Sequence, residues 1–355
     1  MGGKALKLVQ TIRLEKDDYN ILKNKIANLL ASFIKIHFLY EVPDKTNFGD
    51  LDLLYELNEN NMNIYDIVKQ VFNPKQMVHN GNVLSFSYLI NEVDNTYFQI
   101  DLIKTNNYIM DLFYFSYGDL GGIIGRITKY YGLTYGNNGL WITIEPSLIE
   151  NYLKETQKYD KLEVGNINNK IILTQSPEEI CNYLGFDYNK WKSGFKSNVE
   201  LYNFIIESPY FENKLFYIEA LNYKHRVRCN ERPMYREFQN YINNITKPIN
   251  NINTISDYNA LVYFNKIDEL ESLIKKNIIH NERKSKFNGY LIKLAIQETF
   301  NKNIEDKILS EYIVNFKNNI KNKYNYDNFD DYIDNNSKED IKNHIISYFS
   351  FIQSN

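Results

Sequence analysis

Cysteine, proline and glycine are scarce in this chain, whose 355 residues include 2 Cys, 7 Pro and 15 Gly. The two cysteines, Cys181 and Cys229, are too few for a disulfide scaffold, so we expect a protein of a reducing compartment. Hydrophobic residues make up 43% and charged residues 24% of the chain, which are ordinary globular values, so a wholly disordered protein is excluded. The length predicts two or three domains.

The sequence also lacks a stretch that is apolar enough to cross a membrane. The longest apolar run, residues 26–39, is interrupted by Lys35 and His37 and falls short of the roughly 20 residues that a bilayer requires. The first residues contain neither the apolar core of a secretory signal nor the Ser or Thr at position 6 that myristoylation of Gly2 would need. We therefore predict a soluble, cytoplasmic protein with no membrane partner, in which residues 26–39 form a buried helix.

An excess of positive charge is lacking as well, because 41 Lys and Arg residues face 44 Asp and Glu residues, for a net charge of −3. A protein that coats nucleic acid with a globally basic surface is therefore excluded, and any basic site has to be local. The densest basic segment, residues 224–236, is typical either of a solvated helix end or of a strip that faces a triphosphate or a nucleic-acid backbone. The second interpretation assigns nucleic-acid binding to Lys224, Arg226, Arg228, Arg232 and Arg236.

The spacing of apolar residues changes along the chain. Up to residue 145 it predicts helices over 16–36 and 63–72 and strands over 48–55, 83–90 and 97–103. Beyond Pro146 the period is mainly helical, with one strand-like stretch at 170–174. We predict an α+β fold, with a mixed sheet and flanking helices followed by a mainly helical C-terminal region. The predicted domains are residues 1–145, 146–245 and 246–355.

Four glycines fall within residues 110–131, whose apolar period predicts one continuous helix. Gly118 and Gly122 would lie on one face of that helix, which is typical of close helix packing. Together with Gly121 and Gly125 they superficially resemble a dinucleotide-binding or kinase glycine loop. Both kinds of loop are excluded, because no strand turns tightly into a helix at this point.

Two aspartates lie two positions apart in the strand predicted over 48–55. Because strand side chains alternate, Asp50 and Asp52 project from one face and Leu51 from the other. Two carboxylates about 7 Å apart along a strand can hold a hard divalent cation between them. Taken alone, such a pair is more often part of a turn that leads into an edge strand.

A third aspartate, Asp101, changes this interpretation. It lies in the otherwise apolar strand 97–103, where a buried charge has to be paired, solvated or bound to a metal. A short hairpin brings this strand back beside the earlier elements. Three aspartates on adjacent strands can form a two-metal site, in which one ion activates an attacking hydroxyl and the other stabilises the leaving phosphate oxygens. The pattern therefore predicts Asp50, Asp52 and Asp101 as catalytic metal ligands.

A glycine pair, an Asp-x-Asp pair on a strand and a third Asp on a later strand resemble the DNA polymerase β-type nucleotidyltransferase superfamily, which includes poly(A) polymerases and CCA-adding enzymes. Residues 45–52 are similar to the loop before the family's acidic pair, and the resemblance covers residues 1–145. It implies a nucleotidyltransferase-type sheet in which Asp50 and Asp52 bind both Mg²⁺ ions, with Mn²⁺ as a substitute. Asp101 would bind the catalytic ion and help to deprotonate the acceptor hydroxyl. The composition and length resemble nucleotidyltransferases of large DNA viruses, which implies the host cytoplasm or a virus factory.

The resemblance also implies where the nucleotide binds. The family's glycine pair lies shortly before its acidic pair, whereas the pair upstream here is Gly2-Gly3, at the start of the printed chain. Either this pair lies close to the aspartates in space and holds the triphosphate, or Gly49 and its loop do so alone; Gly2-Gly3 is equally typical of a flexible end. Tyr117 or Tyr130 would stack on a base and Arg126 would meet a phosphate, although packing in the core is the more common role of tyrosines in so aromatic a chain. The full set of implied nucleotide-binding residues is Gly2, Gly3, Lys4, Lys45, Gly49, Tyr117 and Arg126.

The residues and the resemblance together predict a Mg²⁺-dependent, template-independent enzyme. It would move a nucleoside monophosphate from an NTP, with ATP favoured, to an acceptor hydroxyl. The basic segment and the helical remainder favour an RNA or tRNA 3′ end as the acceptor. Two alternatives stay open: a protein or small-molecule acceptor, and a catalytically inactive subunit that binds nucleic acid.

Overall fold

The computed structural model describes residues 3–58, 62–156, 167, 169–217, 223–245, 256–300 and 305–354. The chain divides into two compact units, one of residues 1–143 and 170–265 and the other of residues 144–169 and 266–355. The three predicted domains, 1–145, 146–245 and 246–355, stay a prediction. Among the described helices, none is both long and apolar enough to serve as a membrane span.

The described strands of the first unit form three sheets. They are Gln10–Thr11 (β1), Leu14–Glu15 (β2), Ile34–Phe38 (β3), Asn47–Phe48 (β4), Asp50–Leu57 (β5), Met77–Asn80 (β6), Val83–Asn91 (β7), Thr96–Lys104 (β8), Thr134–Gly136 (β9), Gly139–Thr143 (β10) and Lys170–Thr174 (β11). The largest sheet has the order β3-β5-β8-β7-β6, and β1 also pairs with β8. Because β5 and β8 are parallel while β3 and β7 run antiparallel to their neighbours, this sheet is mixed.

Helices cover the sheet and extend the first unit. They are Lys16–Leu30 (α1), Ile64–Phe72 (α2), Tyr108–Phe115 (α3), Leu120–Tyr130 (α4), Pro177–Leu184 (α6), Tyr188–Ser193 (α7), Asn198–Ile206 (α8), Tyr223–Asn230 (α9), Pro233–Asn243 (α10) and Asp257–Tyr263 (α11). A 3-10 turn covers Asn213–Phe216. Apolar residues of α1 and α2 pack with those of β5, β7 and β8 in one core, which removes their side chains from water and stabilises the sheet. The predicted α+β fold class is confirmed.

The second unit consists of helices Pro146–Thr156 (α5), Ile267–Lys286 (α12), Gly289–Phe300 (α13), Asp306–Tyr324 (α14), Phe329–Asn335 (α15) and Lys338–Ser354 (α16). Its core brings together residues from α13, α14, α15 and α16, with Phe316, Tyr332 and Phe349 fully buried. A mainly helical C-terminal region is therefore confirmed.

The helix predicted over 16–36 and the buried helix predicted over 26–39 were both wrong beyond Leu30. Helix α1 ends at Leu30, and residues 34–38 form β3, which pairs antiparallel with β5 from Ile34 opposite Leu57 to Phe38 opposite Leu53. The sequence Ile-Lys-Ile-His-Phe alternates apolar and polar residues, but it adjoins an apolar helix. Such short apolar runs do not separate helix from strand by period alone, and pairing with β5 decides between them.

The continuous helix predicted over 110–131 was also wrong. Helices α3 and α4 are separated at residues 116–119, where Tyr117 has φ +58° and Gly118 has φ +63°. These left-handed conformations end a right-handed helix. Gly118 is required there, because a Cβ atom would lie 2.8 Å from Cγ2 of Val42. Gly118 and Gly122 therefore do not share a helical face.

Candidate metal centre in a cleft of the first unit

Three aspartates meet on the sheet of the first unit. In β5, Leu51 and Leu53 are fully buried in the core, so Asp50 and Asp52 project from the opposite face of the strand. The parallel register of β5 and β8 places Asp52 directly opposite Asp101. Carboxylate oxygens of the three residues all lie within 4.8 Å of one another. The predicted acidic residues are thus brought together at one point of the fold.

Hydrogen bonds hold two of these carboxylates in place. The backbone N–H of Gly3 donates to Oδ2 of Asp50 at 3.2 Å. Gln99, buried on β8, donates through Nε2 to both carboxylate oxygens of Asp101 at 3.0 and 2.9 Å. The Oε1 atom of Gln99 in turn accepts the N–H of Ala5 at 2.9 Å. The segment that contains Gly3 and Ala5 is therefore tied to the aspartates, although it is distant from them in sequence.

Gly3 makes an unusually close approach to the loop before β5. Its φ is +81°, and a Cβ atom at this position would lie 2.5 Å from the carbonyl oxygen of Gly49. Both the dihedral and the contact require glycine. The carbonyl of Gly3 accepts the hydroxyl of Thr11 at 3.0 Å, which fixes the segment from its other side.

Burial, together with the nearby negative charges, raises the pKa of two of the aspartates. Burial is the largest cause that raises the pKa of Asp52 well above its usual range, and the charges of Asp50 and Asp101 raise it further. Burial likewise raises the pKa of Asp101 to about 6, although hydrogen bonds from Ser85 and Gln99 oppose this shift. Lys45 lowers the pKa of Asp52. Repulsion of this kind is what a bound divalent cation would relieve.

Asp50 and Asp52 lie at the wall of a cleft of about 720 Å³, which we call the aspartate cleft. Arginine and lysine side chains line it as well, from Arg13, Lys45 and Arg232. Arg13 donates to the backbone oxygen of Asn47 at 2.9 Å, which holds it near the loop that leads into β5. The cleft therefore combines carboxylates, which suit a metal ion, with cations, which suit phosphate groups.

The cationic residues of the cleft are partly engaged by acidic neighbours. Arg232 forms an ion pair with Asp119, the residue that precedes α4. Lys45 lies 3.8 Å from Oε2 of Glu41 and 4.5 Å from the centre of the Phe48 ring. The sequence does not predict Arg13, Asp119 or Glu41 as residues of the site. Their positions depend on loops and helix ends that bring distant segments together, and no local motif marks them.

The other predicted nucleotide-binding residues lie in different surroundings. Lys4 is exposed, Gly49 is buried beside Gly3, and Gly2 lies outside the described residues. The Tyr117 ring is buried against Trp191 and Tyr40, and its hydroxyl donates to the carbonyl of Trp191 at 3.2 Å. Arg126 donates through Nε to the carbonyl of Leu215 at 2.5 Å. Neither Tyr117 nor Arg126 lines the aspartate cleft, so their nucleotide contacts stay predictions.

The predicted basic strip spans α9 and the start of α10. Arg232 faces the aspartate cleft, whereas Arg236 is exposed on α10. Arg226 is half-buried on α9. The side chains of Lys224 and Arg228 lie outside the described part of the structure. A continuous nucleic-acid-binding strip therefore stays a prediction, and Arg232 is the described member of this set that lines the aspartate cleft.

Comparison with known proteins adds little to this geometry. No model of a protein family matches the chain, and no curated protein matches it. Among solved structures, the chain is similar to Leishmania infantum polymerase beta in a ternary gap complex, at 9% identity over 50% of this chain and 69% of that chain, with a TM-score of 0.35. At this TM-score nothing about the function of this chain follows from the likeness.

Proposed function

We propose that this chain is a Mg²⁺-dependent nucleotidyltransferase that moves a nucleoside monophosphate from an NTP to an acceptor hydroxyl. The observation that carries the proposal is the trio of Asp50, Asp52 and Asp101, whose carboxylate oxygens lie within 4.8 Å of one another at a cleft that Arg13 and Arg232 also line. The resemblance of the Asp-x-Asp strand and the later Asp to nucleotidyltransferases supports the same chemistry.

The donor set fits a hard divalent cation. The three groups offer carboxylate oxygens, which are the ligands that Mg²⁺ and Mn²⁺ prefer, whereas a structural zinc site normally uses Cys and His. Two such ions, when bound, would activate the attacking hydroxyl and stabilise the leaving phosphate oxygens. Mg²⁺ usually keeps several waters and takes one or two carboxylates plus substrate phosphates, which suits a site on the wall of an open cleft.

The residues around the aspartates have distinct tasks in this proposal. Asp50 and Asp52, which reach the cleft, would hold the metal ions on the side where the triphosphate lies. Asp101, fixed by Gln99, would complete the ligand set from the neighbouring strand. Arg13 and Arg232 would bind phosphate oxygens, because guanidinium groups pair with them in a directional, charge-assisted way.

The acceptor that we propose is an RNA 3′ end, with ATP as the preferred donor nucleotide. The aspartate cleft has room for more than a metal ion, and its cations favour a polyanionic partner. A protein or small-molecule acceptor and a catalytically inactive RNA-binding subunit are the competing functions, and one assay separates them from the proposal.

The assay is incorporation of labelled NTP in the presence of Mg²⁺ and a single-stranded RNA, with Asp52→Asn beside the unchanged protein. The matched control is Asp66→Asn, which makes the same charge change at an exposed position of α2 in the same unit. We expect label on the RNA with the unchanged protein and with Asp66→Asn, and a loss of at least about 100-fold with Asp52→Asn. The proposal fails if Asp52→Asn incorporates label as the unchanged protein does.

Other outcomes of the same assay identify the alternatives. Label on a protein or on a small hydroxyl compound, with none on RNA, would show that the acceptor is not RNA but would leave the metal-dependent nucleotidyl transfer in place. RNA binding without incorporation by any variant would identify an inactive binding subunit.

A further inference from the structure

The second unit contains its own open groove, of about 800 Å³, between helices α12, α14 and α15. Lysines at three positions line it: Lys276 and Lys284 on α12 and Lys317 on α14. We call this feature the lysine groove. It lies in helices to which neither the resemblance nor the aspartate site assigns a role.

The positive charge of the groove is largely uncompensated. One carboxylate, that of Asp330, lines the groove, and it accepts a hydrogen bond from Nη1 of Arg283 at 2.7 Å, while Asp334 accepts one from Nε of the same arginine at 2.8 Å, so these acids neutralise Arg283 and not the lysines. Within the described part of the chain, Lys276, Lys284 and Lys317 form no ion pair with a carboxylate. Three lysines thus face the same open space without an anionic partner among the described residues, and such an arrangement attracts a polyanion.

Apolar side chains line the groove as well, and we call them its apolar floor. It consists of Ile279, which is 45% exposed, together with Ile313 and Phe287. The ammonium group of Lys317 sits 5.7 Å from the centre of the Phe287 ring and 5.1 Å from that of Phe329, which holds this lysine close to the apolar floor. The groove therefore offers cations and an apolar surface to one ligand.

This combination suits single-stranded nucleic acid better than a duplex. A single strand presents both phosphates and unpaired bases, so the lysines would contact phosphates while bases lie against the apolar floor. A duplex keeps its bases stacked inside and would leave Ile279 and Ile313 without a partner. An acidic protein segment is the competing ligand.

We propose that the lysine groove binds the backbone of single-stranded RNA, as a second holding site for the acceptor strand. The inference rests on the proposed function in its choice of RNA, but the groove shares no residue with the aspartate cleft. Binding can accordingly be measured without metal and without catalysis.

The test is fluorescence anisotropy of a labelled, unstructured oligouridine with the full chain in EDTA, over a series of salt concentrations. We expect Lys276→Ala/Lys284→Ala to weaken binding roughly 10-fold at low salt. The slope of log K against log salt should become shallower by about 1.4, because each phosphate contact on a single strand contributes about 0.7. Lys276→Arg/Lys284→Arg should bind like the unchanged protein, which separates loss of charge from loss of folding.

The matched control is Lys338→Ala/Lys342→Ala, which removes the same charge from exposed positions of α16 that do not line the groove. We expect it to bind like the unchanged protein. Equal weakening by both double alanine variants would show unspecific attraction and overturn the proposal. Duplex RNA that binds as tightly as oligouridine would also overturn the proposal. So would a polyglutamate peptide that competes with oligouridine for the unchanged protein and no longer binds Lys276→Ala/Lys284→Ala.

The two proposals fail in different ways. If Lys276→Ala/Lys284→Ala binds oligouridine as the unchanged protein does, and incorporation is intact, RNA binding in the lysine groove is wrong and the proposed nucleotidyltransferase activity stands. If Lys276→Ala/Lys284→Ala loses oligouridine binding, but the unchanged protein incorporates no label, RNA binding in the lysine groove stands and the proposed nucleotidyltransferase activity is wrong.

Discussion

At the scale of single residues, the aspartate site is electrostatically unfavourable without a cation. Asp52 is surrounded by the carboxylates of Asp50 and Asp101, and burial and both charges raise its pKa. The hydrogen bonds from Gly3 and Gln99 orient Asp50 and Asp101 but add no positive charge. If these residues served stability alone, the protein would be more stable with a neutral residue in place of one of them.

Asp52→Asn should therefore shift stability in opposite directions with and without metal. In EDTA we expect a melting temperature about 2–4 °C above that of the unchanged protein, because one of three crowded charges is removed. With Mg²⁺ or Mn²⁺ the unchanged protein should gain stability and the variant should gain much less, since only the native state binds the metal. Thermal unfolding followed by circular dichroism measures both. Equal stabilisation of the two proteins by metal would contradict the ligand assignment.

Gly3→Ala tests whether the segment before β1 supports the metal site. A Cβ atom at Gly3 would press on the carbonyl of Gly49 at 2.5 Å, so the segment must move away from Asp50. We expect at least about 1 kcal/mol of destabilisation and a weaker affinity for Mn²⁺, measured by calorimetry. Gly81→Ala is the control, because Gly81 has φ +58° but a Cβ atom there would meet nothing within 4 Å. The control should lose stability but keep its Mn²⁺ affinity, and the same loss of affinity in both would count against a role for Gly3.

At the scale of elements, the two strands that carry the aspartates follow from the sequence, whereas the strand beside them, β3, does not. Alternation in residues 50–57 and the apolar run at 97–103 are local signals, so β5 and β8 and their aspartates could be predicted. Strand β3 could not, because its pairing with β5 is a long-range contact that overrides an adjacent helical pattern. The contact of Gly3 with Asp50 and the position of Arg232 in the aspartate cleft depend on tertiary packing in the same way.

Alanine substitutions at two neighbouring glycines of α4 should change the free energy of unfolding in opposite directions. Gly122 is exposed, and a Cβ atom there would meet nothing within 4 Å, so Gly122→Ala should stabilise the protein by up to about 1 kcal/mol through helix propensity. Gly121 is buried, and its Cβ atom would lie 2.3 Å from the carbonyl oxygen of Tyr114, so Gly121→Ala should cost about 1–3 kcal/mol. Urea unfolding gives both values. Destabilisation by both variants would mean that α4 packs differently.

At the scale of the whole molecule, each unit has its own hydrophobic core. The first unit packs α1 and α2 on the large sheet, and the second packs α13 to α16 around residues such as Phe316. The chain has 2 Trp, and Trp141 and Trp191 both belong to the first unit. Tryptophan fluorescence therefore reports unfolding of the first unit alone.

Phe316→Ala should lower the free energy of unfolding of the second unit without changing that of the first. Removing this fully buried ring should cost about 3–5 kcal/mol in that core. We expect helical circular dichroism to decrease at lower urea, while the midpoint of tryptophan fluorescence stays within error of the unchanged protein. Ile308→Ala, at a residue 45% exposed on α14, is the control and should change neither signal appreciably. Coincident shifts of both signals would show that the units unfold as one.

The most direct measurement of the central claim is a crystal structure of the protein soaked with Mn²⁺ and a non-hydrolysable ATP analogue, with anomalous data. We expect anomalous density between the carboxylates of Asp50, Asp52 and Asp101, with the triphosphate beside it in the aspartate cleft. The same soak of Asp52→Asn should lose or weaken this density. Manganese bound elsewhere, with no density at the three aspartates, would show that these residues are not the metal ligands.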